Sequence, residues 1–115
     1  MGRMGVMPRH TRPRPGLAPD LEIAAAAFSS REDLAILAFL GRVESARAPE
    51  LCRGLGMALN TAHRHLDLLE ALGLIRVDTP VGDRRGRTVK YSLDRAATAA
   101  AVAKLKTALL GGRRG

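Results

Sequence analysis

One stretch of the 115-residue chain, residues 51–74, LCRGLGMALNTAHRHLDLLEALGL, limits the possible folds more than any other. Apolar residues return at Leu51, Leu55, Ala58, Ala62, Leu66, Leu69 and Leu72 in steps of three and four, the spacing that lines one face of a helix. The spacing predicts a short helix, a tight turn through Gly54-Leu55-Gly56 and a second helix. Gly73 follows Leu72, where a helix would end on a left-handed residue. The opposite face of the second helix carries Asn60, Thr61, His63, Arg64, Asp67 and Glu70. Small donors and acceptors with one arginine can reach base edges and phosphates in a DNA major groove.

The flanking sequence supplies further elements. Residues 1–18 mix Gly, Pro and Arg without periodicity and read as a disordered basic tail, able to lie along phosphates or enter a minor groove. From Pro19, DLEIAAAAFSS predicts a helix of two to three turns with Leu21, Ala24, Ala25 and Phe28 on one side. Ser29 and Glu32 have capping-box spacing and mark a new helix from Arg31 to about Arg42. Its expected core face is Leu34, Leu37, Ala38 and Gly41, widened by Ile36, Phe39 and Leu40. Pro49 suits the first turn of a helix over residues 49–53. Residues 74–78 and 88–93 read as two strands, joined by the turn-forming, basic segment TPVGDRRGR. Asp94 is placed to cap an Ala-rich last helix over residues 95–110, which Gly111-Gly112 stops. One domain over residues 19–110 results, with residues 111–115 as a flexible tail.

The net charge is +8, and its placement says more than its size. Arg3, Arg9, Arg12 and Arg14 at one end and Arg113 and Arg114 at the other supply +6 of it. Residues 20–50 hold six acids against three bases, whereas residues 51–95 hold eight bases against five acids. The basic half is the half with the paired helices and the Arg84, Arg85, Arg87, Lys90 cluster, which suits a polyanion met by one face. Guanidinium groups in such a loop are drawn to a narrow minor groove. With no Trp, two Phe and one Tyr, stacking platforms for single strands are scarce, which favours duplex DNA. Two solvated basic tails would also raise the isoelectric point without any such partner.

The segment LGMALNTAHRHLDLLEALGLI resembles the helix-turn-helix of ArsR-type winged-helix repressors, with Thr61, Arg64, His65, Leu66, Leu69, Gly73 and Leu74 at the corresponding places. The resemblance continues through RVDTPVGDRRGRTVKYSLD, which has the layout of strand, basic wing and strand, and covers residues 30–94. Ala62 and His63 depart from the usual Val-Ser, and Ala58 replaces a Ser- or Thr-like cap. The Asp-Arg-Arg run is similar to the wing of MarR-type regulators, where an acid braces an arginine, a part that would fall to Asp83 and Arg85. ArsR-, MarR- and IclR-like ancestry all stand. A winged-helix fold also implies a brief first strand, for which Ala46-Arg47 is the candidate.

The expected fold is therefore mainly α with a small antiparallel β-wing: a winged helix-turn-helix with extra N- and C-terminal helices. The expected function is a sequence-specific, double-stranded-DNA-binding transcriptional regulator, a cytoplasmic homodimeric repressor whose first and last helices supply the dimer interface. A low-specificity nucleoid-associated or plasmid-maintenance protein and a protein-interaction module are the alternatives. Asn60, Thr61, His63, Arg64, Arg84, Arg85 and Arg87 are the expected DNA-binding residues. His65 sits beside Ala62 and Leu69 and reads as a packed or backbone-bonded histidine. Cys52 is the single cysteine, so no internal disulfide forms, and it reads as a small buried hydrophobe. Arsenic-sensing relatives carry Cys-x-Cys here; this chain has Gly54 at the second position, so no metal site or cofactor is expected. No nucleophile elbow, phosphate loop or acid pair marks an enzyme, and neither a secretory signal nor a membrane-spanning run is read.

Overall fold

The computed structural model describes residues 16–79 and 88–111. The first residues of the chain, the wing turn with Asp83, Arg84, Arg85 and Arg87, and the C-terminal Arg113 and Arg114 lie outside the described residues. The order is α1 Pro19–Phe28, α2 Arg31–Gly41, β1 Ala46–Arg47, α3 Ala48–Leu55, α4 Leu59–Ala71, β2 Ile75–Val77, β3 Lys90–Leu93 and α5 Arg95–Lys106. A π-helical turn, Thr107–Gly111, continues α5. The sheet runs β1-β3-β2 and is antiparallel throughout, pairing Ala46 with Tyr91 and Val77 with Tyr91 from opposite sides. The expected mainly α winged helix-turn-helix, including its two-residue first strand, is the fold observed.

Local chemistry sets the helix boundaries. The cap of α2 is Ser30 rather than Ser29: its Oγ accepts from the Asp33 amide at 3.1 Å and donates to Glu32 Oε1 at 3.3 Å. Helix α3 begins where Glu50 Oε1 accepts from the Arg47 amide at 2.8 Å. It runs on to Leu55, past the expected end, and Gly54 within it lies against the Phe39 ring. A Cβ at Gly54 would lie 2.5 Å from Phe39 Cε2. The turn therefore starts at Gly56, whose φ of 65° lets the Met57 amide reach back to the Cys52 carbonyl at 3.1 Å. The same device ends α4: Gly73 has φ 81° and the Leu74 amide reaches the Leu69 carbonyl at 3.0 Å. Asp94 caps α5, with Oδ1 accepting from the Ala97 amide at 2.9 Å.

The core gathers Ile36 and Leu40 of α2, Leu51 of α3, Leu66 and Leu69 of α4, and Leu74 at the wing's entrance, all fully buried. Ala24 and Ala27 of α1 and Ala101 of α5 are buried as well, and α1 packs chiefly on α5. Helix α2 is turned from its expected setting. Asp33, Ile36, Leu37 and Leu40 face inward, while Leu34 and Ala38 are exposed. The bulkier apolar stripe Ile36, Leu37 and Leu40 takes the inward side, and Asp33, which shares it, is 1% exposed and meets His65 of α4.

Candidate nucleic-acid interface

Helix α4 is held from one side by Ala62, Leu66 and Leu69, each with no exposed surface. At 100° per residue the direction away from that stripe falls between Asn60 and Arg64, and both are exposed. Thr61 and His63 flank them on opposite sides. Half-buried Thr61 lines a groove of about 340 Å³ with Arg31 and Glu32 of α2 and Met57 of the turn. Exposed His63 lines a cleft of about 490 Å³ between α4 and the sheet, with Arg47, Asp67, Thr88 and Tyr91. Of the four expected readers on α4, then, two share the outward ridge and two face its flanking grooves. Arg84, Arg85 and Arg87 fall outside the described residues, although Lys90, the last of that cluster, stands exposed on β3.

Sequence reasoning passed over three neighbours. Leu59 and Leu68 are exposed apolar residues on α4, and Arg47 stands in the same cleft as His63. Exposed leucines on a groove-sized helix are suited to thymine methyl groups. The signal for Leu68 was present, since it breaks the apolar stripe; that for Arg47 was not, because its position depends on β1 pairing with β3. His65 is packed as expected but bonds to a side chain: Nδ1 lies 2.8 Å from Asp33 Oδ1. No side chain caps α4 at Ala58, so the first amides of α4 are not covered by a cap. Such a helix start suits a phosphate. Cys52 is half-buried against the core.

Hydrogen bonds pin the stem of the wing. The Asp78 amide donates to the Lys90 carbonyl at 3.2 Å, and Asp78 Oδ1 accepts from the Lys90 amide and from Thr79 Oγ1, both at 3.0 Å. Asp94 Oδ2 accepts from Arg76 Nε at 3.1 Å, joining β2 to the start of α5. Both carboxyls are held below the usual range, Asp78 first by the Lys90 amide and Asp94 first by the Ala97 amide. A carboxylate with a depressed folded-state pKa stabilises the fold above its unfolded value and loses that contribution as pH falls through the folded one. The stem is therefore expected to loosen only below about pH 4. In an NMR titration the Lys90 and Ala97 amides should shift in that window, and Asp78→Asn should abolish the Lys90 response alone. A Lys90 amide that titrates unchanged in D78N would break this assignment.

Among the described residues no three His, Cys, Asp or Glu side chains are grouped to hold a metal ion, and no helix is long and apolar enough to cross a membrane.

The family model described as MarR family matches residues 30–86, from the cap of α2 past β2 and short of β3. No curated protein sequence matches the chain. Among solved structures the fold is similar to an ArsR family transcriptional regulator, with 26% identity and a TM-score of 0.62 over 82% of this chain and 99% of that one. An ArsR-like transcriptional regulator from Rhodococcus sp. RHA1 shows 26% identity and a TM-score of 0.62 over 76% of each chain. A homodimeric winged helix-turn-helix DNA-binding domain from Mycobacterium bovis, at 18% identity, shares the fold with a TM-score of 0.56 over 89% of this chain and 99% of that one. The chain is a winged helix-turn-helix transcriptional regulator, ArsR-like in its overall fold and MarR-like over residues 30–86.

Proposed function

We propose that the protein is a cytoplasmic homodimeric repressor that binds a specific double-stranded DNA site and occludes a promoter. The observation that carries this reading is the outward ridge of α4, with Asn60 and Arg64 exposed opposite a fully buried stripe. Asn60 has the amide to pair with adenine and Arg64 the fork to pair with guanine in the major groove. In this reading Thr61 and His63 fix the flanking backbone, and the guanidinium groups of the sequence run Arg84, Arg85 and Arg87 suit the adjacent minor groove. Two copies would read half-sites about one turn, ~34 Å, apart. For the dimer, α5 and the turn that continues it offer apolar surface in need of cover, since Val102, Leu109 and Leu110 are at least half exposed, and α1 packs beside α5. The Mycobacterium bovis domain that shares the fold is homodimeric.

The test is a fluorescence-anisotropy titration against duplex from the protein's own upstream region and against shuffled duplex, across a salt series. A preference of about a thousandfold that survives physiological salt is expected. Arg84→Ala with Arg85→Ala should weaken binding to both duplexes and flatten the salt dependence by roughly one to two phosphate contacts. Equal binding that collapses with salt would mark a general DNA binder or an interaction module instead.

A further inference from the structure

Helix α4 must present Asn60 and Arg64 at a fixed rotation about its axis, yet its core face consists of Ala62, Leu66 and Leu69. Apolar packing is non-directional and leaves rolling and sliding weakly opposed. Inside that packing lies one short polar contact with a defined direction: His65 Nδ1 to Asp33 Oδ1 at 2.8 Å. The His65 side chain is 15% exposed and that of Asp33 2%. Asp33 is itself anchored, since its amide donates to the Ser30 hydroxyl that caps α2. His65 follows Arg64 directly and stands one turn beyond Thr61, so fixing its ring fixes the backbone from which those side chains project.

We infer that Asp33 and His65 are positioning residues for DNA recognition: a strut from the first turn of α2 to the middle of α4 that sets the rotation of the reading ridge. The pair touches no DNA. It acts through Arg64 and Asn60, and in that respect the inference rests on the reading of α4 as the recognition helix. A buried polar pair of this kind adds little net stability over an apolar pair of similar volume. Its contribution is direction, and a site held loosely by its support loses discrimination before it loses affinity for charge.

Three proteins test this: wild type, His65→Asn, and the double variant Asp33→Leu with His65→Leu. Asparagine places its amide nitrogen near the position of Nδ1 and keeps the donor. The double variant removes both polar groups together and leaves no unpaired buried carboxyl, so it is expected to fold. Each is titrated against the tightest duplex selected from a random pool and against its shuffled counterpart. The double variant should lose about tenfold or more of the preference between duplexes while its affinity for shuffled duplex stays within about threefold; H65N should stay within about threefold of wild type on both. Amide hydrogen exchange of the free proteins supplies an arm independent of DNA. Amides of residues 62–69 should exchange about tenfold faster in the double variant relative to those of α2, and in H65N they should exchange at about the wild-type rate. A double variant with full preference and unchanged exchange would overturn the strut. If wild type shows no preference between duplexes, the reading of α4 fails by itself, and the exchange arm still decides whether the strut holds the helix.

Discussion

Leu66→Ala should lower the stability of the protein by about 2–5 kcal/mol in urea unfolding, a large part of the roughly 5–15 kcal/mol available to a domain of this size. Leu66 is fully buried on the inward face of α4 and joins the core cluster that includes Leu51 of α3 and Ile36 and Leu40 of α2. Three helices meet at these four side chains, so the cavity has no single wall free to collapse into it. Leu68, two residues along and 39% exposed, is the matched control: Leu68→Ala should change stability by no more than about 0.5 kcal/mol. A small loss at Leu66 would mean that α4 is not seated on the core as described.

The second large effect is expected on binding. Arg64→Ala should weaken binding to the specific duplex by about 1–3 kcal/mol, roughly five- to 150-fold, and relax the requirement for guanine at one position of each half-site. A dimer carries the substitution twice, which moves the expected loss toward the upper end. Stability should scarcely change, because the side chain is exposed and spends nothing on the core. A competition titration over single-base variants of the site checks it. Uniform weakening across all of them would reassign Arg64 to a phosphate.

Much of this was legible in the residue order because it was local. The positions of Pro19, Gly73 and Asp94 placed one end each of α1, α4 and α5, and the three-and-four spacing of Ala62, Leu66 and Leu69 identified the inward face of α4. The outward position of Asn60 and Arg64 followed from that stripe by helix geometry alone. What escaped was set by contacts distant in sequence. Asp33 reads as a surface acid until His65, thirty-two residues later, is brought beside it on the inward side of α2. Gly54 reads as a helix stop until Phe39 is found against it. The side on which His63 lies became clear only with β3 in place, since the cleft it lines is bounded by Thr88, Val89 and Tyr91. Between Ser29 and Ser30 the pattern had two adjacent caps to choose from, and the amide of Asp33 decided for the second.

Helix α4 is stopped before it begins and again where it ends by the same backbone device, Gly56 with φ 65° and Gly73 with φ 81°. Its 13 residues are thus framed by two positions that side chains other than glycine adopt poorly. One residue inserted within α4 would swing everything before it against everything after it by 100°, splitting both the reading ridge and the core stripe that alternate along it. Divergence of target sequence among descendants of this chain is thereby confined to exchange of side chains at fixed outward stations. The alphabet of the helix can change, while its phase cannot.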